Sequence, residues 1–189
     1  MNNAALIRPD RRQRGAALLT GLIFMVILTL LGITAARMAG LEERMSGNMR
    51  DRSLAMQAAE MALRDAERDI RGPLAGSTRS PAISGISNFV AACTDGLCYN
   101  GANGNANAVD WKVTPIWTLV SMTAAPSVAY GANTPATDID GLSAQPRYLI
   151  EGIRKTPPGG AEEFYYRVTV RAQGANPNTV VWLQEVFKP

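Results

Sequence analysis

The sequence contains no histidine and only two cysteines among 189 residues. Without histidine the chain lacks the usual general base, the usual activator of a nucleophile and the commonest metal ligand. Two cysteines alone complete neither a zinc site nor a Ser-His-Asp centre. Glu162 and Glu163 could in principle share acid-base work, but they lie among polar loop residues and read as a solvated charge pair. An enzyme is therefore not expected, nor a bound metal or cofactor. Charge is also missing from one long stretch: Ala16 to Ala36 is 21 residues without a single ionisable side chain.

The net charge is +3, yet residues 1 to 15 hold four arginines (Arg8, Arg11, Arg12 and Arg14) against Asp10 alone. Everything after residue 15 is formally neutral, with 15 basic and 15 acidic residues. Phosphate binding needs a concentrated basic face, so direct nucleic-acid binding is not expected.

At about 1.5 Å per helical residue the uncharged run reaches roughly 31 Å, the thickness of a bilayer's hydrocarbon core. Basic flanks stay on the cytoplasmic side, which predicts an N-terminus inside and everything after Ala36 outside. A secretory signal peptide would show a shorter apolar core followed by a small-x-small cleavage site. Here the small residue comes first: basic residues, then Gly15, then apolar sequence at once.

That order resembles the leader of type IV pilins. The resemblance implies cleavage by a membrane prepilin peptidase between Gly15 and Ala16 on the cytoplasmic face, then N-methylation of Ala16. Pilins of the common type carry glutamate at the fifth residue past the cut, where it is thought to neutralise the N-terminal amine of the subunit above it in the fibre. This chain has Thr20, which by the same resemblance suits a subunit with no predecessor, at the tip.

From Arg37 to Arg71 the helical pattern continues without proline. Met45, Met49, Arg52, Met56, Ala59, Leu63, Ala66 and Ile70 step alternately by four and three, the period of one helix face, with Arg52 the misfit. Glu60 with Arg64, and Glu67 with Arg71, are i,i+4 pairs in the better orientation. Gly72 and Pro73 then stop the helix. Gly21, Gly32 and Gly40 permit close helix approach or bending. A helix of some 55 residues, apolar all round and then one-sided, can exchange lipid for a bundle of similar helices while its second half offers a face to its own domain.

Beyond Pro73 the composition shifts to Gly, Ser, Asn and Pro. Residues 74 to 92 read as loop, with AISGISNFVAA a short helix or strand. Cys93 and Cys98 enclose TDGL, whose Asp-Gly is a strong turn dipeptide; outside the cytoplasm they should oxidise to a disulfide that pins a local turn. YNGANGNANA, residues 99 to 108, reads as an exposed loop and a weak candidate recognition surface. Asp138 and Asp140 before Gly141 carry a fragment of a calcium-loop pattern without its remaining ligands, and a plain turn is expected. Val109 to Val120, with Pro115, reads as an edge or interrupted strand. Arg147 to Ile153, Phe164 to Ala172 and the hairpin-linked TVVWLQEVF complete an antiparallel sheet of three or four strands. In Phe164 to Ala172, Tyr166, Val168, Val170 and Ala172 point one way and Tyr165, Arg167, Thr169 and Arg171 the other, a half-buried strand by period.

The RGAALL leader, LEERMSGNMRDRSLAMQAAEMALRDAE at 41 to 67, QPRYLIE at 145 to 151, YRVTVRAQG and TVVWLQEVF together resemble the PilX-type minor pilins of bacterial type IV pili. The likeness covers the N-terminal third and the last 45 residues. It implies an α+β pilin fold: leader 1–15, transmembrane or fibre-core helix 16–36, amphipathic helix half 37–71 and periplasmic globular domain 72–189. It implies a non-enzymatic subunit of the inner membrane, later of the fibre, that meets the prepilin peptidase, other minor pilins, the major pilin, the assembly platform and a tip adhesin. Such subunits prime fibre growth and so support twitching motility, attachment or DNA uptake. A pseudopilin of the type II secretion system, or a single-span anchored periplasmic domain, are the alternatives on the same residues.

Overall fold

The computed structural model describes residues 16–72, 75–79, 82–99 and 116–189. The chain divides into two units, Met1–Gly47 and Asn48–Pro189. One α-helix, α1 (Ala16–Arg71), runs through the division. Alanine, leucine, methionine, glutamate and arginine dominate it, the residues that lose least on entering a helix. Gly72 ends it at φ +98°, its N–H bonded to the Arg68 carbonyl, a backbone state that costs an L side chain strain but glycine none.

In the first unit every described residue of α1 is exposed. An 18-residue window there has a mean hydropathy of 2.6, and the helix is long and apolar enough to cross a membrane.

The second unit is an α+β domain. The strands are β1 (Leu97–Cys98), β2 (Val128–Ala129), β3 (Arg147–Lys155), β4 (Glu163–Gln173) and β5 (Val180–Phe187). β3, β4 and β5 form an antiparallel meander, while β1 (parallel) and β2 (antiparallel) share the other side of β3. The sheet is thus mostly antiparallel with five strands rather than three or four. Its two extra strands come from the Gly- and Ser-rich region, each too short for a period of its own.

Alternation along the strands sorts the sheet into two faces. Tyr148, Ile150, Tyr166, Val168, Val170, Ala172 and Val181 cluster with Ala55, Ala58, Ala59, Ala62, Ala66 and Ile70 of α1. Leu149, on the opposite face, packs with Cys93, Cys98 and Met122, against which Trp117 and Val120 lean. The two sides read for β4 separate as expected: Tyr166, Val168, Val170 and Ala172 are the buried one, and Thr169 of the other side is buried as well.

Two expectations need correction. The helix face that packs is not the methionine line: Met45 and Met49 are about two-thirds exposed at 63% and 67%, and Met56 is exposed too. Only Ala59, Ala66 and Ile70 of that line are buried, with Leu63 half-buried. Alanines face the sheet because Tyr148 and Tyr166, both under 2% exposed, already fill the interlayer space, and native packing density leaves no room for longer helix side chains. The edge strand over Val109 to Val120 is the second: of that segment, Ile116–Thr118 is a 3-10 turn and 109–115 lie outside the described residues.

Candidate functional site

Ala16 opens α1, and Thr20 follows one turn later. The Thr20 hydroxyl donates to the carbonyls of Ala16 and Ala17, each at 3.0 Å. It is therefore engaged by its own helix and carries no charge. Gly15, the leader arginines and all but the first residue of YNGANGNANA lie outside the described residues. Around Thr20, Leu18, Leu22, Phe24 and Met25 are 60–77% exposed; returning one such side chain to an apolar medium gains about 1.5–3 kcal/mol. This half of α1 is built to be covered.

Cys93 and Cys98 are joined by a disulfide, and both are fully buried. The bridge does more than pin a turn. Thr94–Gly96 makes a 3-10 turn between them, Cys98 belongs to β1, and the sulfurs form one wall of the outer-face cluster with Leu149 and Met122.

A set of carboxylates on α1 went unread in the sequence. Asp65 and Asp69, one turn apart, are 0% and 2% exposed. Asp65 accepts from the Gly131 N–H at 2.9 Å and from the Thr134 hydroxyl. Asp69 accepts from Asn133 Nδ2 at 3.0 Å, from the Tyr148 hydroxyl at 3.0 Å and from Arg79 Nε. Arg79 also donates to the Asp95 carbonyl at 2.8 Å, tying in the turn beside the disulfide. Burial, then the Asp69 charge, pushes the Tyr148 phenol well above its ordinary range, so it stays a donor. Further up the helix Asp51 accepts the N–H of Ala175 at 2.6 Å and of Asn176 at 3.3 Å in the β4–β5 turn. The Thr179 hydroxyl, opposed by partial desolvation and aided by those two N–H groups, holds the Asp51 carboxyl below its ordinary value. The only cue was aspartate recurring on a helix among alanines, and that pattern ordinarily reads as solvent-facing.

Other ionisable groups are also fixed. Glu163 opens β4 rather than sitting in a loop; its carboxylate accepts from Tyr165 at 2.6 Å and meets Lys188 at 3.2 Å, contacts that lower its pKa in that order. Glu162 meets Arg154 at 3.5 Å, and Glu67 meets Arg71 at 3.9 Å. Asp140 and Gly141 stand in a turn. Among the described residues no group of three or more His, Cys, Asp or Glu could hold a metal ion. The arrangement serves cohesion: acids on one helix clamp the loops of the sheet.

Comparison with known families supplies the remaining observation. A family model described as type IV pilus assembly protein PilX C-term matches residues 94–189, and one described as PilX N-terminal matches residues 14–64. The C-terminal match begins well ahead of QPRYLIE, one residue after Cys93, so it takes in Cys98, β1 and β2. No curated protein and no solved structure matches the chain.

Proposed function

We propose that this chain, which belongs to the type IV pilus assembly protein PilX family, is a minor pilin that helps to initiate a fibre and occupies its tip. Membership makes it an assembly protein that works with other pilus components. The subunit, held in the inner membrane with its N-terminus cytoplasmic, is cut between Gly15 and Ala16, methylated on Ala16, and extracted into the fibre. Prepilin peptidase, assembly platform, other minor pilins, major pilin and a tip adhesin are its partners. Its role is structural rather than catalytic, and twitching motility, attachment or DNA uptake would depend on it through the fibre.

The observation that carries this reading is α1 itself: one continuous helix whose beginning is apolar and exposed on all sides and whose end is seated by an alanine face on a sheet. An anchor needs the first half alone. Thr20 supports the tip position, since a hydroxyl bonded to its own helix leaves nothing to neutralise a neighbour's amine. Mass spectrometry of the mature protein tests the processing: an N-methylated Ala16 terminus is expected, and an intact leader or a cut beyond Ala36 overturns it. Thr20→Glu tests the position. Fewer pili, or subunits found along the shaft of sheared fibres, are expected; unchanged piliation and placement would refute the tip assignment.

A further inference from the structure

The face of the sheet turned away from α1 is ordered in rows. Ala129, Arg147, Arg171 and Trp182 stand opposite one another across β2, β3, β4 and β5. Four residues along, Glu151, Arg167 and Val186 make a similar row. In that second row the cation is neutralised: Arg167 reaches Glu151 through two bonds of 2.8 and 2.7 Å. The first row has no such acid. Arg147 donates to the hydroxyl and carbonyl of Ser127, both neutral. Arg171 has no hydrogen bond or ion pair among the described residues, and Trp182 beside it is 46% exposed.

β5 is also the end of the sheet, pairing among the described residues with β4 alone. Its outward side chains are Val180, Trp182, Gln184 and Val186, three of them apolar and exposed. Open edges are ordinarily blunted by charge, proline or a bulge. Along the outward side of β5 there is no charge and no proline.

We propose that the β5 edge docks an extended segment of a different protein, which adds to the sheet as a further strand and reaches a carboxylate across Trp182 to Arg171, one strand in from the edge. Backbone pairing supplies the affinity in this mode, and alternate side chains supply the choice of partner. Charge complementarity fixes the occupant. A second copy of the chain offers Arg171 nothing, because the outward residues of β5 include no acid and Glu185 alternates to the α1 side; it would also bring another Arg171 to the same face. The inference concerns the globular domain and stands whether or not the leader is processed as proposed.

The test uses the full chain in detergent micelles and a fluorescent eight-residue peptide of alternating valine and glutamate. Its counterparts carry lysine for glutamate, or N-methylated backbone amides. Anisotropy is expected to show the glutamate peptide binding about tenfold tighter than the lysine peptide, a preference that Arg171→Ala abolishes and Arg171→Lys partly keeps. N-methylation is expected to remove binding, because the edge then has no donors to meet. No binding of the glutamate peptide, equal binding of both peptides, or indifference to Arg171→Ala in a variant with native circular dichroism each overturns the proposal. So does sedimentation showing a dimer that Trp182→Glu dissociates and the peptide does not compete with, which would assign the edge to a second copy.

Discussion

Replacing Asp69 by alanine strikes the point where α1, β3 and two loops meet. The carboxylate is 2% exposed and receives three donors: Arg79, Asn133 and Tyr148. Removing it leaves the Arg79 guanidinium, only 13% exposed, without a counter-charge, and the hydroxyl of fully buried Tyr148 without an acceptor. Breaking a buried ion pair from one side costs about 3–5 kcal/mol, and each stranded neutral donor about 1–3 more if nothing relaxes. Asn133 lies in a loop that can turn outward, and Arg79 retains the Asp95 carbonyl, so a total of about 4 kcal/mol is expected. That is a large share of the 5–15 kcal/mol typical of a domain. Asp69→Asn keeps one acceptor oxygen but loses the charge and sets an NH2 against a donor, and about 2 kcal/mol is expected once Asn133 or the Tyr148 hydroxyl turns to relieve it. Urea unfolding of the full chain in micelles, followed by near-ultraviolet circular dichroism, reads both. A cycle with Arg79→Ala isolates the pair, and the two substitutions together should cost at least ~1 kcal/mol less than their sum. A loss below ~1 kcal/mol for Asp69→Ala would mean that the buried network is not what holds the 130–136 loop to the helix.

Glu185 on β5 faces Glu67 of α1, and burial first, then the neighbouring Glu67 carboxyl, raise the Glu185 pKa. A carboxyl whose folded pKa exceeds its unfolded one favours the fold when protonated, and this contribution fades as pH climbs from the unfolded value through the raised folded one. Glu185→Gln should therefore stabilise the domain at pH 7 by about 0.5 kcal/mol, the scale of a solvent-screened pair, and the gain should vanish near pH 4. A gain independent of pH in unfolding midpoints would exclude the carboxyl pair as its cause. Gly152 lies under Phe89, which stacks on Tyr166 with ring centroids 5.6 Å apart. A β-carbon there would meet Ile86 at 2.7 Å and Phe89 at 2.9 Å, so Gly152→Ala should cost about 1–3 kcal/mol by overpacking. An unchanged urea midpoint would show that this corner is loose.

Local chemistry was enough to place the helix, its end at Gly72, the sides of β4, the hairpin into β5 and the cysteine bridge. Each follows from a period, a cap or a spacing contained within a few residues. The same sequence also carried the uncharged run that makes α1 able to cross a membrane. The face of α1 that packs was beyond such reasoning. Methionine and alanine both count as apolar in a period, and the choice between them was made by the bulk of Tyr148 and Tyr166 on strands about 80 to 110 residues further along the chain. Asp65 and Asp69 could be buried only because donors from residues 79, 131, 133, 134 and 148 converge on them. The lone Arg171 beside Trp182 likewise arises from strand register, which sets a residue's neighbours across a sheet and leaves no mark in the order of the chain. Sequence settled the long helix and the three long strands, whose periods are local; tertiary structure settled the short strands β1 and β2, which surfaces are spent inside the domain and which remain for a partner, because pairing and burial depend on what already occupies the space.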